Sequence, residues 1–151
     1  MIARANVKAT EYGRATSEST PPTQTVSFLS PQCLFPTEEY DFDRVVEVES
    51  TILAEGFWRV PILVERSTLV VMDGHHRREA AIRLSFAKVP CLLVDYTMVL
   101  LETRRPEIIT SPEEVIRRGL MGLPFPAKTT RHTVPEWLAV SCCVPLEFLR
   151  Q

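Results

Sequence analysis

The chain has 151 residues, of which 45% are hydrophobic and 24% charged, the composition of a globular domain rather than of a disordered, collagen-like or membrane-spanning protein. A chain of this length buries roughly 70% of the surface of its unfolded form, so it can fold as one domain without metal ions or disulfides. The formal net charge of -2 disfavours a nucleic-acid partner, because such proteins usually carry a basic domain or stripe. No apolar stretch approaches the roughly 20 residues of a membrane span, so no membrane partner is expected.

The cysteines lack the CxxC spacing of zinc fingers and redox pairs; they are Cys33, Cys91, Cys142 and Cys143. We therefore expect reduced thiols in a reducing compartment and a cytoplasmic location.

The first 25 residues are rich in Thr, Ser, Arg and Ala and poor in large apolar residues. Such a segment cannot bury enough apolar surface to offset its ordering entropy, so we predict a disordered arm over residues 1–25. The folded domain is expected over residues 26–134. Prolines recur from Pro124 to Pro145, which predicts irregular segments with short helical turns, and residues 135–151 form a C-terminal tail whose packing the sequence leaves open.

Short apolar runs and helical periodicities alternate along the rest of the chain. The predicted strands are Val26–Leu29, Pro61–Glu65, Leu69–Met72, Val89–Val94 and Met98–Leu101, with a strand or extended segment at Cys33–Phe35. The predicted helices are Phe42–Glu55, ended by Gly56; His75–Leu84; and one capped by Ser111 with Pro112 at its first position, ending between Gly119 and Gly122. Only Arg66 to Thr68 separate the second and third strands named, which predicts a hairpin.

The sharpest motif is Asp73-Gly74-His75-His76-Arg77, which follows an apolar strand and opens a helix. The first N–H groups of a helix lack internal partners and favour an anion, and Gly74 permits a close backbone approach. Arg77 adds a planar donor fork suited to phosphate, and Asp73 can hold Mg²⁺ or orient a hydroxyl. In the alternative interpretation, Asp73 only caps the helix and the histidines are solvated.

A second motif, Lys128-Thr129-Thr130-Arg131-His132, places two cations, two hydroxyls and an imidazole in consecutive positions. All 3 histidines of the chain lie in these two motifs, and histidine suits sites that handle protons near neutral pH. A surface loop or a solvated charge run is the alternative.

A third feature is the acidic segment Thr37-Glu38-Glu39-Tyr40-Asp41, which precedes the first long helix. Acids at a helix N-terminus are favoured by the helix dipole alone. The functional alternative is that one of these carboxylates is a general base close to the phosphate site.

From Glu38 to Val94 the chain resembles the ParB/sulfiredoxin superfamily. The resemblance is carried by an acid-bearing helix start, a helix ended by Gly56, the run Pro61-Ile62-Leu63-Val64, the Gly-x-x-Arg helix with Ala80-Ala81, and Val89-Pro90. Within the superfamily, the Asp-Gly-His-His-Arg form and the later Lys-Thr-Thr-Arg-His segment are similar to the free L-serine kinases. This resemblance covers roughly residues 26–133.

The resemblance implies an α+β fold with a small mixed sheet and packed helices. It also implies a kinase that uses Mg²⁺ to transfer a phosphoryl group from ATP or ADP to free L-serine, giving O-phosphoserine. In such kinases a glutamate before the first helix acts on the serine hydroxyl; the matching residue is Glu38, with Glu39 as its adjacent competitor. The resemblance also implies that Asp73 and His76 take part in catalysis and that Asp73 binds Mg²⁺. The residues implied to bind the nucleotide phosphates are Gly74, His75, His76 and Arg77. Those implied to bind the substrate or the transferred phosphate are Lys128, Thr129, Thr130, Arg131 and His132.

Two related activities are disfavoured by the motif. Sulfiredoxins need a cysteine where this chain has His75, and chromosome-partitioning ParB proteins normally carry Gly-Glu-Arg-Arg at the turn, followed by a helix-turn-helix domain. One alternative is a ParB-like regulator that binds nucleotide or DNA without phosphorylating serine, which the pairs Arg104-Arg105 and Arg117-Arg118 slightly favour; another is an inactive relative. The sequence decides neither ATP against ADP nor the oligomeric state.

Overall fold

The structure, a computed structural model, describes residues 4–6 and 25–151. Within these residues the strands are β1 (Arg4–Asn6), β2 (Thr25–Leu29), β3 (Phe57–Trp58), β4 (Ile62–Glu65), β5 (Val71–Asp73), β6 (Val89–Val94), β7 (Leu100–Thr103), β8 (Thr130–Thr133) and β9 (Val144–Pro145). The α-helices are α1 (Phe42–Glu55), α2 (His75–Arg83), α3 (Pro112–Met121) and α4 (Leu146–Leu149). The predicted α+β class with a small mixed sheet is confirmed.

The main sheet has five strands in the order β1-β2-β6-β4-β5. Strand β6 pairs antiparallel with β2 and parallel with β4, so that Cys91 lies opposite both Ser27 and Ile62. The predicted hairpin forms, since β5 returns antiparallel beside β4 with Asp73 opposite Leu63. Strand β5 is the edge of this sheet, and it delivers the chain directly into α2 at the Asp-Gly-His-His-Arg motif.

Helix α1 begins and ends as the sequence predicts, because both ends are fixed by local chemistry. The Asp41 carboxylate accepts hydrogen bonds from the N–H groups of Asp43 and Arg44, which caps the first turn. Gly56 has a φ of 74°, a left-handed conformation that glycine adopts without steric cost, and this ends the helix. The buried side chains of Val45 and Ile52 face the core.

Helix α3 is also capped as predicted, by the Ser111 hydroxyl, which accepts a hydrogen bond of 3.1 Å from the Glu114 N–H. Gly119 lets this helix approach Val70, directly before β5, and Thr37 of the acidic segment closely. A Cβ atom at Gly119 would lie 2.7 Å from Val70 Cγ1 and 3.0 Å from Thr37 Cγ2. The helix therefore supports the segment that carries the candidate base.

Two predicted elements differ from the structure, and strand β8 is absent from the prediction. Pro31–Cys33 is a 3-10 turn, which the fixed φ of Pro31 favours, and only Phe35 pairs in a bridge. Tyr96–Met98 is also a 3-10 turn, so the strand predicted from Met98 begins at Leu100. Strand β8 was not predicted, because its sequence, Thr-Arg-His-Thr, lacks apolar alternation and depends on pairing with β7.

The two ends of the chain extend the fold. Strand β1, inside the predicted arm, pairs antiparallel with β2; the other arm residues, 1–3 and 7–24, lie outside the described part of the chain. The predicted C-terminal tail contributes several core side chains, namely Leu138, Val140, Cys142, Val144, Leu146 and Leu149. Its strand β9 pairs with β3, and the Cys142 N–H donates to the Arg59 carbonyl at 2.7 Å. Among the described helices, none has the length and apolar character needed to cross a membrane.

Candidate active site

A cavity of about 650 Å³ lies where the acidic segment, α1, the start of α2 and β8 meet. It is lined by nearly all the predicted site residues, which are Glu38, Asp73, Gly74, His75, His76, Arg77, Lys128, Thr130, Arg131 and His132. Three distant parts of the chain thus converge on one space. Thr129 does not line the cavity: it is fully buried, and its hydroxyl donates to the Pro126 carbonyl at 2.6 Å.

Glu38 is held by β8. Its Oε1 accepts one hydrogen bond from the Thr130 N–H at 2.6 Å and a second from the Thr130 hydroxyl. Among the described residues, no hydrogen bond is made by Oε2. The carboxylate is therefore fixed through one oxygen while the other remains available to a ligand in the cavity.

The backbone around Glu38 is fixed as firmly as its side chain. The Glu39 N–H donates to the Phe125 carbonyl and the Phe125 N–H donates to the Thr37 carbonyl, each at 2.8 Å. Thr37 is fully buried, and its hydroxyl donates to the Val71 carbonyl at 2.7 Å. Glu39 itself is exposed, and its side chain makes no hydrogen bond to another described residue.

The imidazole of His75 turns toward this segment. Its Nε2 lies 3.0 Å from the Thr37 N and 3.2 Å from the Glu38 N, so it accepts hydrogen bonds from backbone N–H groups. Burial lowers the pKa of His75 to about 3, and the nearby positive groups add to this effect. The ring is therefore neutral near pH 7.

His76 faces the cavity beside the same segment. Its Nε2 accepts a hydrogen bond of 3.1 Å from the Asp41 N–H. Burial lowers the pKa of His76 and Arg44 adds to this, while Asp41 and Glu38 partly oppose it. Both histidines of the motif thus use Nε2 as an acceptor from backbone N–H groups.

Arg77 is largely engaged in supporting the fold. Its Nη1 donates to the carbonyls of Val60 and Pro61 at 2.6 and 2.9 Å, and its Nη2 lies 3.5 Å from Asp73 Oδ2. Burial lowers the pKa of Arg77, although a guanidinium stays protonated. Arg77 is therefore mostly buried and holds the turn before β4, and its role on the nucleotide phosphates stays a prediction.

Gly74 supplies the backbone conformation that the motif requires. Its φ of 109° is rarely adopted by other residues, and a Cβ would lie 3.1 Å from Arg77 Nη2 and 3.3 Å from Ile62 Cγ1. The first N–H groups of α2 are thereby presented at the cavity.

Asp73 is the carboxylate at the mouth of the cavity, with a side chain 68% exposed. No group of three or more His, Cys, Asp or Glu that could hold a metal ion occurs in the described residues. This donor set is unsuited to a permanently bound metal. It fits Mg²⁺ that arrives with a nucleotide, because Mg²⁺ is commonly held by one or two carboxylates together with substrate phosphates and water.

Positive charge lines the side of the cavity formed by β7 and β8. Lys128 and Arg131 are exposed there, and Arg104 joins them because its N–H donates to the Thr129 carbonyl at 2.7 Å. His132 lies deeper. Its Nε2 is 2.9 Å from the Tyr96 hydroxyl, and burial lowers the pKa of His132 to about 4.

The opposite wall, formed by α1 and the β3 region, was not identified from the sequence. Its apolar lining residues are Val48, Ile52, Phe57, Trp58 and Val60, and its polar ones are Arg44, Thr51, Glu55 and Arg59. The Trp58 Nε1–H donates to the Val60 carbonyl at 2.6 Å, which fixes the indole. The sequence feature that could have indicated this wall is the pair of aromatic residues, Phe57 and Trp58, directly after the helix-ending Gly56. Most apolar lining residues of the cavity thus lie on this wall, which also carries charged residues.

No family model matches the chain. A ParB-like protein of Sulfolobus acidocaldarius is 32% identical over 92 residues, which are 61% of this chain and 46% of that protein. An ATP-dependent L-serine kinase of Staphylothermus marinus is 35% identical over 97 residues, which are 58% of this chain and 38% of that kinase. The matched part therefore spans less than half the length of either relative.

Solved structures show the same fold. A free serine kinase in complex with AMP superimposes with a TM-score of 0.76 at 14% identity, covering 89% of this chain and 98% of that chain. A glutamate-to-alanine variant of a free serine kinase in complex with ADP gives a TM-score of 0.74 at 14% identity, covering 82% of this chain and 93% of that chain. The resemblance to the ParB-like and free serine kinase proteins is thus confirmed.

Proposed function

We propose that the chain is a kinase that transfers a phosphoryl group from an adenine nucleotide to free L-serine, giving O-phosphoserine. The observation that carries the proposal is the fixed carboxylate of Glu38, held through Oε1 by Thr130 in a cavity with positive charge on its other side. Relatives named as L-serine kinases and the shared fold support the same assignment.

Glu38 is the proposed general base. Phosphoryl transfer needs the attacking oxygen in line with the phosphorus and needs charge stabilisation on the phosphoryl oxygens. Because Oε1 is occupied by Thr130, Oε2 takes the proton of the serine hydroxyl as that oxygen attacks. Glu39 is less suited to this role, because it is exposed and nothing in the described part of the chain holds its carboxylate.

The phosphate groups are proposed to lie between the start of α2 and β8. The N–H groups at Gly74 and His75 favour an anion, and Lys128 and Arg131 supply positive charge from the other side. Asp73 is the proposed Mg²⁺ ligand, and bound Mg²⁺ would neutralise charge on the phosphates. With so few protein ligands, metal affinity depends on the nucleotide.

The adenine base is proposed to lie against the wall formed by α1 and the β3 region. Phe57 gives that wall exposed aromatic surface and Val60 gives it exposed aliphatic surface, with the buried indole of Trp58 beside them. Apolar pockets with a few fixed polar groups are the common form of nucleotide and cofactor sites. This leaves the side of the cavity formed by β7 and β8 for serine and the transferred phosphate.

The direct test is incubation of the purified chain with L-serine, Mg²⁺ and either ATP or ADP, with O-phosphoserine detected by mass spectrometry. Product that depends on both serine and nucleotide is the expected result, and the comparison of ATP with ADP identifies the donor. D-Serine and L-threonine as acceptors test recognition of the substrate. Absence of product with both donors, in a preparation that binds adenine nucleotide, would exclude the kinase assignment.

The alternative, a ParB-like regulator that binds nucleotide or DNA without turnover, is suggested by the ParB-like relative. The arginine pairs that favoured it are largely engaged within the protein. Arg117 and Arg118 both contact Glu114, at 2.8 and 3.0 Å, and Arg105 donates to the Ala127 carbonyl at 2.9 Å. Salt-dependent DNA binding without O-phosphoserine formation would favour this alternative.

A further inference from the structure

We infer that His75 and His76 are positioning residues, which hold the backbone of residues 37–41 so that the Glu38 carboxylate faces the cavity. This inference deepens the proposed function and rests on it for the role of Glu38. It assigns Nε2 of both imidazoles to the protein backbone rather than to the nucleotide phosphates.

The geometry places one imidazole near each end of the segment. Adjacent residues on a helix point about 100° apart, since 3.6 residues make one turn. His75 Nε2 therefore reaches the N–H groups of Thr37 and Glu38, at 3.0 and 3.2 Å, while His76 Nε2 reaches the Asp41 N–H at 3.1 Å. Glu38 is thus held directly by His75, and the chain beyond it is held again at Asp41.

The hydrogen-bond pattern fixes the tautomer of both rings. A nitrogen that accepts from backbone N–H groups must present its lone pair, so each ring carries its proton on Nδ1. The Thr37 hydroxyl does not change this conclusion, because its single proton is donated to the Val71 carbonyl at 2.7 Å. Nε2 of these rings therefore cannot donate to a phosphate oxygen, and Nδ1–H is the one donor that each ring keeps.

If His75 positions the Glu38 backbone, its loss should change kcat; if His75 binds phosphate, its loss should change the Kd for nucleotide. If His75 holds the base, His75→Ala lowers kcat by on the order of 10²-fold, because a displacement of about 1 Å is enough to cost that much. The Kd for nucleotide stays within about twofold, since every proposed phosphate contact remains. His75→Gln restores most of kcat, because its amide oxygen can accept near the position of Nε2.

The experiment compares His75→Ala, His75→Gln and the wild type for kcat, KM for serine and nucleotide Kd by calorimetry. A weakened Kd with kcat retained would overturn the inference, as would equal loss of activity in both variants while both remain folded. His76→Ala and His76→Gln form a second, parallel pair.

A measurement on the wild type keeps the inference testable if the alanine variants do not fold. Long-range ¹H–¹⁵N correlation spectra at neutral pH identify which ring nitrogen of each histidine carries the proton. Unprotonated Nε2 in both His75 and His76 is expected; a proton on Nε2 of either ring would overturn the inference. This readout is independent of serine phosphorylation, so failure of the proposed function is distinguished from failure of the inference.

Discussion

Glu38→Gln removes the proposed base while leaving its surroundings in place. The amide oxygen of Gln can accept both hydrogen bonds that Oε1 receives from Thr130, so the side chain keeps its position. What changes is the charge and the ability to take a proton. Loss of general-base catalysis lowers the rate by roughly 10²–10⁴-fold. Two charge-assisted hydrogen bonds become neutral ones, which lowers the free energy of unfolding by about 1–2 kcal/mol.

The assay is O-phosphoserine formation under saturating nucleotide, with nucleotide Kd and urea unfolding measured on the same preparations. Glu39→Gln is the matched control: it is adjacent, exposed and without a hydrogen bond to its side chain in the described part of the chain. It should keep nearly full activity. Activity that survives Glu38→Gln and disappears in Glu39→Gln would refute the assignment of the base, and activity that survives both would require a mechanism centred on Asp73.

Three further predictions concern stability. Arg77→Ala leaves the Val60 and Pro61 carbonyls without their donor, so we expect the free energy of unfolding in urea to fall by about 2–4 kcal/mol. An unchanged midpoint of urea unfolding would contradict the supporting role of Arg77. Gly119→Ala places a Cβ 2.7 Å from Val70 Cγ1, so overpacking should cost about 1–3 kcal/mol, and a neutral effect would show that α3 can shift freely. Because the pKa of His132 is lowered to about 4 in the folded state, the unfolded state binds this proton first as the pH falls. The free energy of unfolding should therefore be unaffected by His132 above pH 6.5 and fall by about 3 kcal/mol toward pH 4. His132→Asn should reduce this dependence of the free energy of unfolding on pH.

The elements that could be predicted from the sequence are those whose limits are set locally. Helix α1 was predicted with its observed bounds because its periodicity, its first turn and Gly56 all lie within one stretch of chain. Helix α3 was predicted from Ser111 and Pro112 for the same reason. Strand β8 was missed because four largely polar residues become a strand only through pairing with β7, nearly thirty residues earlier.

Nearly all the site residues predicted from the sequence line the cavity, but their contacts could not be predicted. Sequence patterns place His75, His76 and Arg77 at the start of a helix, where solvent and ligands are the expected partners. Their actual partners are backbone groups brought in by the fold, such as the Glu38 N–H for His75 and the Val60 carbonyl for Arg77. Motif spacing carries no information about such partners, because the same side chains serve equally as ligands or as supports.

The hydrogen bond between Glu38 and Thr130 has a consequence for the order of events during synthesis. The two residues are 92 positions apart, so the acid leaves the ribosome long before its partner. Closing a loop of that length costs about 4 kcal/mol in chain entropy by the (3/2)RT ln n relation. Helix α1 and the β4–β5 hairpin need no such closure, and contacts between distant parts of a chain form slowly. The nascent chain therefore acquires much of its secondary structure first and completes its candidate active site only when β8 has joined β7.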